Sequence, residues 1–375
     1  MSRHPSSTYR LQIRPAFDVD AAAGVVGYLR DLGVGWVYVS PLLQASRGSE
    51  HGYDVVDVSR VDDARGGSDG LRRFAAAAHA AGLGVLADIV PNHVGVGRPA
   101  QNPWWWDLLR HGRASRYAEA FDIDWDAGSG RVLLPILARP DAVSEMQVDA
   151  AAGIARYDEQ VLPLAPGSAA DSDDVAAVLA RQHWEPVFWQ DEAAALNYRR
   201  FFDVSTLAGV RVEVPWVFDE AHAEVLRWVR EGLVDGLRID HPDGLADPGG
   251  YLARLREALA DATTFASSGI ERTADPAAPY VVVEKILARA ATDRAEALPA
   301  GWDVEGTTGY DALAEIDRVL VDPAGRRPLD ALDRRLHEES GSVLRAWSDL
   351  VHDAKREVTD TTLRAEVVRL VRCVP

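Results

Sequence analysis

Short apolar, β-branched runs alternate with helical patterns along most of this 375-residue chain, and this alternation constrains the fold more than any other feature. The runs are bounded by glycine or polar residues. Runs such as GVGWVYVS and GLGVLADIV are apolar on both faces, which is typical of buried parallel strands. Five clear runs and a weaker sixth are found at Thr8–Ile13, Val34–Ser40, Leu83–Val90, Val234–Asp240, Tyr280–Glu284 and Trp302–Gly306.

Helical patterns lie between these runs, at Val19–Leu32, Asp69–Ala81, Ala221–Gly232 and Gly249–Asp261. Strands that alternate with helices of roughly 10–15 residues predict βαβ units and a parallel sheet. Two further helical patterns, Leu329–Leu344 and Glu357–Val371, follow near the end of the chain.

One long stretch interrupts the alternation, between the third run and a helix near Asp219. A structureless loop of this length is implausible in a compact domain, so we predict an inserted subdomain. The predicted organisation is strands 1–3 in residues 1–98, the inserted subdomain in 99–205, strands 4–6 in 206–320, and a helical segment in 321–375.

The chain carries 40 basic and 58 acidic residues, a formal net charge of −18. Such a charge excludes a nucleic-acid partner and an anionic membrane surface. The lone Cys373 allows no disulfide framework within the chain, and neither a signal segment nor a membrane-spanning apolar run is visible, so a cytoplasmic location is expected. No phosphate-binding glycine motif is present, so nucleotide chemistry is not expected.

Polar side chains cluster where the apolar runs end, which in a parallel barrel is where active sites form. The third run leads to Asp88, Asn92 and His93, and the fourth to Arg238, Asp240, His241 and Asp243. The fifth leads to Glu284 and Lys285, and the loop after the second carries His51, Tyr53 and Asp54.

Asp240 and Glu284 are the candidate catalytic pair. Glycosidic cleavage with retention needs two carboxylates about 5 Å apart, one as nucleophile and one as acid/base. Arg238 points to the same side of its strand as Asp240, and we expect it to keep that carboxylate ionised. Taken alone, an Arg–Asp pair at a strand end is more often a structural ion pair. The neighbouring polar strand ends favour the catalytic interpretation.

Other residues leave two interpretations open. Three histidines could bind sugar hydroxyls or have structural roles: His51, His93 and His241. They could also form a zinc site, but the sequence has no compact metal-binding spacing such as HExxH. We expect no metal and no cofactor. Tyr53 and the Trp104–Trp106 run offer flat faces on which sugars stack, or they pack in the core.

Three motifs, DIVPNHV, GLRIDHPDGL and VVVEKIL, resemble the first three signature regions of the α-amylase family, in the same order. The segments STYRLQ, SEHGYDVVD, NPWWWDLLRHGRASRYAEAFDIDW, LNYRRFFDV and GTTGYD look like maltooligosyl trehalose synthases within that family. The resemblance runs from about Thr8 to the end of the chain.

The resemblance implies a (β/α)8 barrel with an insertion after the third strand. It also implies an intramolecular transglycosylation, in which the reducing-end α-1,4 bond of a maltooligosaccharide or glycogen-derived glucan becomes an α-1,1 bond. Carried over by motif, Asp240 is the nucleophile and Glu284 the acid/base. Arg238, His93, Tyr53 and Asp88 would line the subsite of the attacked glucose. His51, Asp54 and Asn92 are further candidate substrate-binding residues. His241 and Lys285 would face the acceptor side.

The family pattern also includes a third carboxylate after a seventh strand, and none is found after Glu284. His352–Asp353 is the nearest match, but its surroundings predict a helix. About six strands are found, so we expect an incomplete barrel in an N-terminal fragment of a longer protein. Such an open sheet predicts poor solubility or inactivity for the chain alone.

Two other functions remain open. One is hydrolysis, by an α-amylase or a trehalose-releasing hydrolase with the same carboxylates. The other is glucan binding without catalysis. The resemblance also suggests functional pairing with a trehalose-releasing hydrolase.

Overall fold

The structure is a computed structural model that describes residues 4–170, 174–267, 278–287 and 296–374. The chain divides into two compact units. The first comprises residues 1–285 and 298–308, and the second comprises residues 286–297 and 309–375.

A six-stranded parallel sheet forms the centre of the first unit. Its strands, in chain order, are β1 (Thr8–Leu11), β2 (Trp36–Val39), β3 (Gly84–Ile89), β4 (Gly236–Ile239), β5 (Tyr280–Val283) and β6 (Gly306–Thr307). Each strand pairs in parallel with the next one along the chain. Every residue of β3 and β4 is buried, as their uniformly apolar runs predict. The sixth strand contains only the last residue of its predicted run, Trp302–Gly306, and ends at Thr307.

Helices of the first unit connect these strands, at Val19–Asp31, Gly67–Ala80, Pro215–Arg230 and Pro248–Ser267. The first begins where the Asp18 side chain accepts a hydrogen bond from the Ala21 amide at 2.8 Å. It is followed by Gly33 in the left-handed region, which is typical of a helix end. The third begins earlier than the apolar pattern predicts, because Pro215 occupies the first helical turn. Strand–helix alternation around a parallel sheet confirms the predicted incomplete (β/α)8 barrel.

An insertion follows β3, as predicted. It begins with helix Pro103–His111, whose first turn is capped by Asn102, and it contains short helices at Val175–Leu179 and Glu192–Ala195. Strands Val132–Leu137 and Trp184–Phe188 pair with each other, and Gln147–Asp149, Ile154–Tyr157 and Gln160–Pro163 form a three-stranded sheet.

Two more small sheets lie beside the ends of the barrel strands. Strand Arg200–Phe201 pairs with Val204–Gly209 as the chain leaves the insertion, and Val204–Gly209 in turn pairs with His93–Gly95, shortly after β3. Strands Leu43–Ala45 and Val55–Val61 form a hairpin after β2. The chain around His51 and Tyr53 therefore lies in a loop between two paired strands.

The second unit contains helices at Tyr310–Leu320, Arg326–Ser340, Trp347–Asp360 and Arg364–Cys373. His352 and Asp353 lie within the third of these, as their sequence surroundings predict. The predicted Glu357–Val371 helix is divided, because one helix ends at Asp360 and the next begins at Arg364. Within the described ranges, no helix is both long and apolar enough to cross a membrane.

Candidate active site

The ends of β3, β4 and β5 bring the predicted carboxylates together. Asp88 and Arg238 lie opposite each other in the β3–β4 register. The Asp240 amide donates to the Ile89 carbonyl, and the Glu284 amide donates to the Ile239 carbonyl, both at 2.9 Å. Asp240 and Glu284 therefore occupy equivalent positions on adjacent strands, which lie roughly 4.8 Å apart.

The Arg238 guanidinium contacts three carboxylates. Its Nη1 lies 2.8 Å from Asp88 Oδ1 and 2.6 Å from Asp240 Oδ1. Its Nη2 lies 2.9 Å from Glu284 Oε1. Arg238 and Asp240 are each only 6% exposed. One buried cation thus fixes both candidate catalytic groups relative to Asp88.

Burial dominates the ionisation of Asp240. Removal from water raises its pKa to about 7, although Arg238 acts in the opposite direction. The expectation that Arg238 alone keeps Asp240 ionised is therefore too simple. A single guanidinium is shared among three carboxyl groups, and Asp88 and Glu284 both oppose a further negative charge.

Two tyrosines hold the other oxygen of Asp88. The hydroxyls of Tyr38 and Tyr53 each donate to Asp88 Oδ2 at 2.7 Å. Arg10 Nη2 in turn donates to the Tyr53 hydroxyl at 3.1 Å. Burial raises the pKa of Tyr53 to about 12, so its hydroxyl stays protonated and remains a donor. Tyr53 is a candidate site residue from the sequence, whereas Tyr38 and Arg10 are not, although Arg10 lies in the STYRLQ segment. The two residues lie opposite each other in the β1–β2 register.

His93 is a buried, neutral imidazole. Its Nε2 lies 3.1 Å from the Tyr53 carbonyl, and its ring lies 4.3 Å from that of Phe201. Burial lowers the pKa of His93 to about 3. Its Nδ1 has no hydrogen-bond partner within the part of the chain that the structure describes. His93 therefore retains one ring nitrogen that could bond a hydroxyl.

His51 and Asp54 belong to the loop that carries Tyr53. His51 Nδ1 accepts a hydrogen bond from the Tyr53 amide at 3.1 Å, and its side chain is half exposed. Asp54 accepts a hydrogen bond from the Ser49 hydroxyl. Both residues hold the local loop in shape.

His241 follows Asp240 in a left-handed conformation, with φ at 43°. Its amide donates to Glu284 Oε2 at 3.3 Å, and its ring contacts those of Phe201 and Phe202. Burial lowers the pKa of His241. Lys285 Nζ lies 2.9 Å from Asp243 Oδ2, so the residues that follow Asp240 and Glu284 in the chain contact different partners.

Asn92 contacts a residue that the sequence motifs do not single out. Its Oδ1 accepts a hydrogen bond from Arg199 Nη1 at 2.9 Å. Arg199 comes from the LNYRRFFDV segment of the insertion. The feature of the sequence that could have identified Arg199 is the Arg199–Arg200 pair. It immediately precedes Phe201 and Phe202, whose rings lie beside His93 and His241.

From the sequence, the tryptophans of the Trp104–Trp106 run could stack on a sugar or pack in the core. Trp104 and Trp105 are buried, so core packing accounts for both of them. Across the described residues, no group of three or more His, Cys, Asp and Glu side chains is arranged to hold a metal ion.

Known proteins resemble this chain in both sequence and fold. The model of the α-amylase catalytic domain matches residues 19–129. A putative maltooligosyl trehalose synthase of Mycobacterium tuberculosis (strain H37Rv) is 47% identical over 373 residues, which is 98% of this chain and 45% of that protein. The solved maltooligosyltrehalose synthase from Arthrobacter ramosus is 49% identical with a TM-score of 0.87, and the match covers 98% of this chain and 45% of that one.

An open parallel barrel with carboxylates at its strand ends, together with these matches, places the chain in the α-amylase family. Within that family, its similarity to maltooligosyl trehalose synthases extends over 98% of its length, which confirms the resemblance seen in its motifs. The chain spans about half the length of these relatives, 45% in each case. A shorter match, 36% identical over 124 residues, links it to a malto-oligosyltrehalose trehalohydrolase of Rhizobium sp. (strain M-11) and covers 32% of this chain.

Proposed function

We propose that this chain carries the nucleophile and the acid/base of an intramolecular transglycosylase. The enzyme would convert the reducing-end α-1,4 bond of a maltooligosaccharide, or of a glycogen-derived glucan, into an α-1,1 bond. The main support is the Arg238 guanidinium, which contacts both Asp240 and Glu284 at the ends of adjacent strands. The names of the relatives that match 98% of the chain agree with this activity.

The proposed first step forms a glycosyl-enzyme. Asp240 attacks the anomeric carbon of the penultimate glucose, and the bond from that carbon to O4 of the last glucose breaks. O4 keeps the bonding electron pair and takes the proton of Glu284. Two carboxylates that act in this way replace one difficult displacement with two easier ones and retain the anomeric configuration.

The proposed second step uses the released glucose, which stays in the site. Its 1-hydroxyl attacks the same anomeric carbon while Glu284 accepts the hydroxyl proton and the bond to Asp240 breaks. No atom is gained or lost, and the product has the same length but no reducing end. Rearrangement in place of hydrolysis requires that water be kept from the glycosyl-enzyme.

The surrounding residues would bind the two glucose rings. Arg238, Asp88, Tyr53 and His93 would hold the attacked ring, and the Nδ1 atom of His93 is suited to bond a hydroxyl. His241 and Lys285 would face the acceptor ring. We predict that the sugar also contacts His51, Asp54 and Asn92. Each of these side chains already makes a hydrogen bond, which it would have to share with the sugar. No cofactor takes part in this scheme, and we place the reaction in the cytoplasm.

The test is product analysis with maltopentaose. We expect the wild-type protein to give a non-reducing product of unchanged length, and Asp240→Asn and Glu284→Gln each to lose at least about a hundredfold in rate, the range typical of a lost acid or base. Asp69→Asn and Glu159→Gln are matched controls, because their side chains are 84% and 78% exposed and pair with the exposed Arg72 and Arg98.

The other outcomes distinguish the remaining functions. Shorter products with new reducing ends would indicate a hydrolase, a reaction that the partial match to a trehalohydrolase keeps under consideration. Binding of maltopentaose without turnover, unchanged in Asp240→Asn, would indicate a glucan-binding role. If trehalose appears only when a trehalose-releasing hydrolase is added, the proposed functional pairing is supported.

A further inference from the structure

Arg199 connects three segments that meet beside the candidate active site. Its Nη1 donates to Asn92 Oδ1 at 2.9 Å and to the Gly244 carbonyl at 3.0 Å. Its Nη2 donates to the Val210 carbonyl at 2.7 Å. One side chain of the insertion therefore bonds the segment after β3, the turn after β4 and the chain that leads into helix Pro215–Arg230.

The space around this guanidinium admits no additional side chain. A Cβ atom at Gly209 would lie 2.6 Å from Arg199 Cζ. A Cβ atom at Gly244 would lie 2.6 Å from both Asn92 Oδ1 and His241 Cδ2. Arg199 and its acceptors thus fit closely against two backbone positions where only glycine leaves enough room.

The turn that Arg199 holds also contacts Glu284. His241 begins it in a left-handed conformation, which is strained for a residue with a side chain and persists only where its surroundings fix it. The Gly244 amide closes the turn on the His241 carbonyl at 3.1 Å. At its start, the His241 amide donates to Glu284 Oε2 at 3.3 Å. The position of this amide therefore depends on a turn whose far end is bonded to Arg199.

We propose that Arg199 is a positioning residue for the acid/base, acting through the turn of residues 241–244. By fixing the Gly244 carbonyl and Asn92, it keeps the His241 amide on one oxygen of Glu284 while Arg238 holds the other. The Glu284 carboxyl is then directed at the glycosidic oxygen that it protonates. This inference rests on the proposed function and adds a residue of the insertion to the machinery of proton transfer.

The experiment compares two substrates that differ in their need for an acid. Maltopentaose has a sugar leaving group that must be protonated, whereas fluoride leaves from α-maltosyl fluoride without a proton. For Arg199→Ala, we expect kcat on maltopentaose to fall about tenfold or more, with little change in KM. A positioned acid contributes about 10²–10⁴-fold to the rate, and misplacing it should remove part of that factor. The first-turnover release of fluoride should stay within about threefold of wild type, because it depends on Asp240 and not on Glu284.

Two further variants separate positioning from a general loss of structure. Gly244→Ala should reproduce the selective loss, because the added Cβ displaces the same turn without removing a charge. Arg211→Ala should leave both rates unchanged, since Arg211 bonds Glu213 and the Glu119 carbonyl near the surface. Circular dichroism and thermal unfolding would confirm that each variant is folded.

The result that overturns the inference is an equal change on both substrates, or no change on either, in a folded Arg199→Ala protein. This comparison holds whether the wild-type product is rearranged or hydrolysed, because both reactions need the acid in the first step. The identity of the wild-type product tests the proposed function separately. A wild-type protein that cleaves neither substrate would overturn both.

Discussion

Arg238 illustrates how one residue can set the properties of a site. Its Nη1 and Nη2 atoms reach Asp88, Asp240 and Glu284, so a single positive charge is divided among three acids. The hydroxyls of Tyr38 and Tyr53 also donate to Asp88. In the part of the chain that the structure describes, Asp240 receives a side-chain hydrogen bond from Arg238 alone. Within the described residues, the carboxylate of the candidate nucleophile thus accepts fewer hydrogen bonds than that of Asp88.

The activity of the protein should therefore depend on Asp240 near neutral pH. Attack requires the carboxylate, and burial raises its pKa to about 7. Below that pH the ionised fraction falls about tenfold per unit, so the acidic limb of kcat/KM should lie near pH 7, well above the usual value of about 4 for aspartate. The first-turnover release of fluoride from α-maltosyl fluoride between pH 5 and 9 measures this limb without the acid step. A rate that stays constant down to pH 5 would contradict the prediction.

At the scale of elements, the loop after β2 is held not only by its own hydrogen bonds but also by a buried charge that lies outside it. Arg65 donates to the Ile13 carbonyl at 3.3 Å and to the Ser49 carbonyl at 2.8 Å, and it pairs with Asp62. Arg65 is 1% exposed and Asp62 is 2% exposed. The loop that carries His51 and Tyr53 is thereby connected to the end of β1.

Removing Arg65 should destabilise the protein strongly. Loss of one partner from a buried ion pair leaves the other charge uncompensated, which costs about 3–5 kcal/mol. We expect a decrease of this size in the free energy of unfolding of Arg65→Ala, measured by urea denaturation. The matched control is Arg60→Ala, whose side chain is 50% exposed and pairs with Asp57 and Asp63. Its cost should be about 1 kcal/mol or less, and similar values for the two variants would refute the role of Arg65.

For the whole molecule, the most distinctive property is how much apolar surface remains exposed. Within the described residues, the sheet is open, since β1 and β6 each pair with a single neighbour. In the second unit, Val319 is 84% exposed and Leu320 is 80% exposed, on a helix whose other residues are also largely exposed. Apolar surface of this extent promotes association with other chains.

The 375-residue chain should therefore self-associate at micromolar concentration. A Val319→Glu/Leu320→Glu double variant should shift the protein toward monomer, because it places charges in the apolar surface of helix Tyr310–Leu320. Light scattering coupled to size-exclusion chromatography would measure the shift. A double variant of exposed charged residues, Arg326→Gln/Arg335→Gln, makes the same change of −2 in net charge and controls for it. A wild-type chain that runs as a stable monomer would refute this expectation.

The amino-acid sequence by itself determined the class of fold and the position of most candidate residues. Uniformly apolar runs require burial on both faces, and the polar residues that end such runs must then meet at one edge of a parallel sheet. Asp88, Arg238, Asp240 and Glu284 could be placed together for this reason. The predicted catalytic roles of Asp240 and Glu284 remain predictions, as do the four predicted segments of the chain.

Only the tertiary structure decided which groups touch. Arg10 comes from β1, Tyr38 from β2 and Arg199 from the insertion, and no local pattern shows that these distant residues converge on the same site. The raised pKa of Asp240 likewise depends on total burial and on three acids sharing one guanidinium. Local periodicity predicts where helices and strands lie along the chain. These contacts and charges depend instead on distances between segments, which only the folded chain establishes.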